Sequence, residues 1–156
     1  MTAGAVSAVR VRPAEREVAA AEVLHVLQVA RGEEYRLELA DLAAALDEGE
    51  LGPDEQATLE GVLEVALQTG RIRAVHGPQG EQAALKLYRR LPRGAELGES
   101  AAGVTAALQA LVGSPLEAVS VQAVGPGAFT LSLAAGELEV SVRLDRQGSR
   151  LTSVGI

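Results

Sequence analysis

Cysteine is absent from this chain. That rules out disulfides, iron–sulfur clusters and thiolate zinc sites. Tryptophan is absent as well, and Tyr35, Tyr88 and Phe129 are the whole aromatic complement. So few rings argue against a binder of single-stranded nucleic acid, which stacks bases on exposed π-faces. They also leave the core to Leu, Val and Ala. Lysine occurs once, at Lys86, against thirteen Arg, a bias that fits a GC-rich coding sequence. Histidine occurs at His25 and His76 only, too far apart for a His-x-x-x-His pair. The start of the chain lacks the basic and apolar run of a signal peptide. No stretch approaches the roughly 18 apolar residues of a membrane span. A soluble cytoplasmic protein with no membrane partner is the expectation.

Motifs of known chemistry are equally scarce. Gly77-Pro78-Gln79-Gly80 lacks the Lys and Ser/Thr of a phosphate-binding loop, and Gly125-Pro126-Gly127 fails the same test. No Gly-x-Ser-x-Gly elbow is present. Asp47, Glu48, Glu50, Asp54 and Glu55 do not follow the alternating ligand pattern of a calcium loop. No catalytic residue, metal or cofactor is expected, and an enzyme is the least favoured reading.

What the chain does have is 47% hydrophobic residues, a net charge of −7 and a marked charge asymmetry. Residues 33–64 carry eleven acids against Arg36, and residues 71–93 carry six bases against Glu81. Excess negative charge disfavours indiscriminate polyanion binding. The basic segment is the opposing hint.

Residues 1–13 read as a flexible tail. Pro13 followed by Glu15 and Glu17 suits a helix start, because acids there face the positive end of the dipole. This first helix runs to about Arg31, with a stripe of Ala20, Val23, Leu24, Leu27 and Ala30. A short strand is expected over residues 35–38. A second helix follows on Leu39, Leu42, Ala43 and Leu46. A third opens at Pro53 and places Leu59, Val62, Leu63, Ala66 and Leu67 on one face. After Gly70 the pattern suggests two short strands, 71–76 and 83–91, joined by Gly77-Pro78-Gln79-Gly80.

Beyond a boundary near Leu91-Pro92-Arg93-Gly94, Ser100 suits an N-cap. Val104, Ala107, Leu108, Leu111 and Val112 share a helical face. Three turn signals then separate period-two runs, which predicts strands over residues 117–124, 128–134, 138–145 and 150–154. The expected fold class is thus α+β. Residues 14–93 make an N-terminal helical domain ending in a hairpin, and residues 94–156 make a small helix plus a four-stranded antiparallel meander. The second unit is small for independent stability. It is expected to dock on the first or to pair with another copy.

Residues 14–91 resemble the winged helix-turn-helix superfamily. The resemblance rests on Leu39-Ala40-Asp41-Leu42-Ala43 and on Leu67-Gln68-Thr69-Gly70-Arg71-Ile72, which match the second helix and the junction of third helix and wing. It implies a macromolecule-binding module that presents its third helix and its wing. The exposed side of that third helix would show Glu55, Glu60 and Glu64, which repel phosphates and suit a protein partner. The favoured reading is therefore a non-catalytic protein-interaction, scaffold or regulatory module, similar to winged-helix subunits that bind other proteins. Its partner would be another protein or a second copy. The alternative is a DNA-binding transcriptional regulator. It would use the basic wing (Arg71, Arg73, Lys86, Arg89 and Arg90) and an N-terminal arm with Arg10 and Arg12.

Overall fold

A computed structural model describes residues 7–156. The chain divides into two compact units, one up to Ala95 and one from Glu96.

The first unit is built on four helices. Strand β1 (Val9–Arg10) pairs antiparallel with β2 (Glu50–Leu51), Val9 opposite Leu51 and Arg10 opposite Glu50. The described end of the expected tail is therefore part of the fold, and Val11 is buried behind it. Helix α1 (Pro13–Val29) has Pro at its first turn, and the Glu15 carboxylate accepts the Arg12 backbone N–H at 2.9 Å. Helix α2 (Glu33–Glu48) stops at Gly49, whose φ of 82° is open to glycine without strain. The expected short strand at 35–38 is instead its exposed first turns, and Leu39, Leu42 and Leu46 farther along bury one helical stripe. Helix α3 (Pro53–Gln68) buries Leu59, Val62, Leu63 and Ala66, the face expected from spacing. Gln56 is buried beside them and donates to the carbonyls of Leu51 (2.9 Å) and Ser7 (3.0 Å).

The largest departure from expectation is helix α4 (Arg71–Tyr88). The two wing strands are not formed: residues 71–88 are helical, with a kink at Gly77 (φ 73°). Pro78 opens the second half of the helix as a proline opens any helix, fixing φ and lacking the N–H that would go unpaired. Ile72, Ala84 and Leu87 in α4, with Leu91 after it, then bury on one side. The helix packs against α1 and α3. The winged-helix assignment is not confirmed.

The stripe of α1 also differs. Val18, Ala19 and Val23 are buried, whereas Leu24 is exposed. Around them, Leu39, Leu42, Leu46, Leu59, Leu63, Ile72, Leu87 and Leu91 complete a core without an aromatic ring at its centre. The division into units falls inside helix α5 (Pro92–Leu108), where the sequence suggested a break.

In the second unit the end of α5 and a 3-10 turn (Gln109–Leu111) supply Val104, Leu108 and Leu111 to a small core. Ser100 lies inside the helix, where its hydroxyl donates to the Ser149 carbonyl. Strands β3 (Ala118–Gly125), β4 (Ala128–Ala135), β5 (Leu138–Asp145) and β6 (Gly148–Gly155) form an antiparallel meander in the order β3-β4-β5-β6. These are the four expected strands, their ends moved by two residues at most. Leu133 sits opposite Val140 and Leu131 opposite Val142, so the apolar residues share one face. The Asp145 carboxylate ties the β5–β6 turn. It accepts from the Gln147 N–H (2.9 Å), Arg143 (3.0 Å) and Arg150 (3.1 Å), which hold it below the usual carboxylate range. Among the described residues, no helix is long and apolar enough to cross a membrane.

Candidate functional site

The basic residues do not assemble into one cationic face. Arg71 opens α4, and its Nε donates to Glu22 Oε2 at 2.9 Å. His76 Nε2 lies 3.0 Å from the other oxygen of the same carboxylate. Glu22 stands on α1 at 1% exposure, between Ala19 and Val23. Arg90, beyond the far end of α4, pairs with buried Glu15 and donates to the Arg10 carbonyl at 2.7 Å. Arg73 pairs with Glu81 at 3.3 Å on the surface. Lys86, Arg89, Arg10 and Arg12 are exposed and make no side-chain ion pair among the described residues. Arg10 and Arg12 do not stand on a free arm, because β1 is pinned to β2 and the Arg12 N–H is capped by Glu15.

Glu60 and Glu64 of α3 turn inward to the α4–α5 junction. Glu60 accepts the Arg93 backbone N–H at 2.9 Å. Glu64 accepts from the Tyr88 hydroxyl and pairs with Arg93 Nε, each at 2.7 Å. Burial, the hydrogen bond to Glu64 and that carboxylate's charge push the Tyr88 phenol up to about 12, against a smaller opposing effect of Arg93. The neutral phenol is the form the fold favours. Its contribution to stability is complete below pH 10 and is lost as pH rises toward about 12. In an ultraviolet titration one of the two tyrosines should resist ionisation to about pH 12, and Tyr88→Phe should remove that late step. A wild-type titration without a late step would refute the arrangement.

Glu55 has a different setting. It lines a cleft of about 570 Å³ between α2 and α3 with Tyr35, Glu38, Asp41, Asp54, Ala57, Thr58 and Gly61. Helical spacing explains the grouping. Tyr35, Glu38 and Asp41 recur every three residues on α2, and Asp54, Thr58 and Gly61 at i, i+4 and i+7 on α3. Leu39, Leu42 and Leu46 of α2 and Leu59 and Leu63 of α3 lie in the core, while Leu37 is exposed. None of the four carboxylates makes an ion pair among the described residues. No group of three among the described His, Cys, Asp and Glu residues is placed to hold a metal ion. Tyr35, 39% exposed, lines the same cleft as this negative charge. The cleft can therefore hold a cation through charge-assisted hydrogen bonds and a ring face.

Sequence reasoning had selected Glu55 but passed over Tyr35, Glu38, Asp41 and Asp54 as a group. The signal was present in the i, i+3 spacing of Tyr35, Glu38 and Asp41 along α2. Glu15 and Glu22 were also missed as anchors. Both fall on the stripe of Val18, Ala19 and Val23, where an acid must have a partner if it is buried. Compared with protein families, curated proteins and solved structures, the chain gives no match.

Proposed function

We propose that this chain is a non-catalytic protein-interaction module whose first unit receives a basic segment of another protein in the cleft between α2 and α3. The observation that carries this reading is the contrast between paired and unpaired charges. Glu15, Glu22, Glu64 and Glu81 are neutralised within the fold, whereas Glu38, Asp41, Asp54 and Glu55 line an open cleft without cationic partners. An Arg or Lys side chain entering there meets several acceptors and the Tyr35 ring. The net charge of −7 steers basic partners inward and polyanions away. The alternative, a DNA-binding regulator, loses its main support. Arg71 and Arg90 belong to opposite ends of a helix and are each held by a buried acid.

A short arginine- and lysine-rich peptide titrated into the full chain should bind with micromolar affinity that weakens steeply with salt. Exposed charge pairs contribute about 0.2–1 kcal/mol each. The variant Glu38→Gln/Asp41→Asn/Asp54→Asn/Glu55→Gln should therefore weaken binding about tenfold, or about 1.4 kcal/mol. These side chains make no internal ion pair, so the fold should be unaffected. Equal binding by the quadruple variant would refute the cleft. Salt-dependent binding of duplex DNA, lost on neutralising Arg10, Arg12, Lys86 and Arg89, would favour the regulator instead.

A further inference from the structure

We infer that strand β3 is a self-pairing edge, and that two copies of this chain join β3 to β3 antiparallel into one eight-stranded sheet. This inference is independent of the acidic cleft.

Strand β3 ends the sheet order, so one side of its backbone has no neighbouring strand among the described residues. Its eight residues, Ala-Val-Ser-Val-Gln-Ala-Val-Gly, include no charge and no proline, and all eight are exposed. Natural edges usually carry such guards against pairing. The opposite edge has one: β6 carries Arg150, bound to Asp145. Val119 and Val121 are 57% and 63% exposed on the apolar face of the sheet, and Phe129 beside them is also exposed. The helix covers Val140 and Val142 and leaves this margin bare.

Register argues for a second copy as the occupant. Directly opposed residues of an antiparallel pair point to the same face. A twofold axis at Val121 sets Val121 against Val121, Val119 against Ala123 and Ser120 against Gln122. The apolar faces of both sheets then coincide, and every cross-strand pair is apolar–apolar or polar–polar. The segment 119–123 used here lies before the bulge between Ala123 and Gly125. Charge agrees. Beyond the paired segment, Glu117 points toward the Gly125 end of the second copy's strand, where the Arg146 side chain lies near Gly127. Antiparallel pairing thus sets the end of one strand that carries Glu117 beside the end of the other sheet that carries Arg146, in a chain whose overall charge would otherwise keep copies apart.

Sedimentation of the full chain should show a dimer at concentrations above micromolar. Val121→Lys places two like charges on the axis and should give a monomer with an unchanged circular dichroism spectrum and unchanged basic-peptide binding. Since the chain has no cysteine, a second test is clean. Val121→Cys should be joined into a covalent dimer by a short thiol cross-linker, whereas Val154→Cys on β6 should not. A monomeric wild type, a Val121→Lys dimer, or equal cross-linking at 121 and 154 would overturn the inference. If Val121→Lys fails to fold, the cysteine pair decides.

Discussion

Arg71→Met should destabilise the first unit by about 3 kcal/mol, a large share of the 5–15 kcal/mol that holds an ordinary domain together. The cost comes from what is left behind. Glu22 is 1% exposed, and its two oxygens are held by Arg71 at 2.9 Å and His76 at 3.0 Å. Removing the guanidinium leaves a buried carboxylate with His76 alone. The converse change should cost less. In Glu22→Leu the stranded Arg71 side chain is already 36% exposed and can turn to water. The double variant Glu22→Leu/Arg71→Met should recover most of the loss, because an apolar pair of similar size needs no charge compensation. Denaturant midpoints of the four proteins give the coupling directly. A coupling near zero would mean that the ion pair does not hold α4 to α1.

Gly94→Ala is the second large effect, and it reverses an ordinary rule. Inside an exposed helix, Gly→Ala stabilises by about 0.5–1 kcal/mol. Gly94 is buried near the start of α5, and an added Cβ would overlap the carbonyl oxygen of Tyr88 and stand 2.6 Å from its carbonyl carbon. Arg89 Cα would lie at 3.0 Å. These are backbone atoms, so no rotamer change relieves the clash, and the α4–α5 corner must open. A loss of about 3 kcal/mol is expected, at the upper end for overpacking. The variant should also break the Tyr88–Glu64–Arg93 contacts and bring the Tyr88 phenol back toward 10. Gly98→Ala and Gly103→Ala are controls, since a Cβ at either meets nothing within 4 Å. Both should be neutral or slightly stabilising. A Gly94→Ala protein as stable as these controls would refute the close approach.

The two halves of the chain differ in how far local sequence decides structure. In the meander, alternation and turn chemistry agree. Phe129, Leu131 and Leu133 alternate with Thr130 and Ser132, and Gly127, Gly136 and Gly148 adopt positive φ at the turns. Side-chain period and turn glycines are properties of neighbouring residues, so all four strands were legible. The stripe of α3 was legible for the same reason, as were the start of α1 at Pro13 and the start of α3 at Pro53.

Between Arg71 and Leu91 the local signals conflict. Ile72 and Ala74, or Leu85 and Leu87, alternate like a strand, while Ala84, Leu87 and Leu91 also fall at helical spacing. Gly77-Pro78 reads equally well as a turn or as the start of a new helical segment. Only packing separates these, because burying Ile72, Ala84 and Leu87 against α1 and α3 requires the helical period. The burial of Glu15 and Glu22 is tertiary too, for an acid can enter a core only where a distant chain segment brings Arg90 or Arg71 to meet it. The sequence by itself determined the α+β class, the meander and the balance of charge. The tertiary structure alone decided which charges cancel and which remain open in the cleft, since the buried pairs Glu22–Arg71 and Glu15–Arg90 join residues about 50 and 75 positions apart.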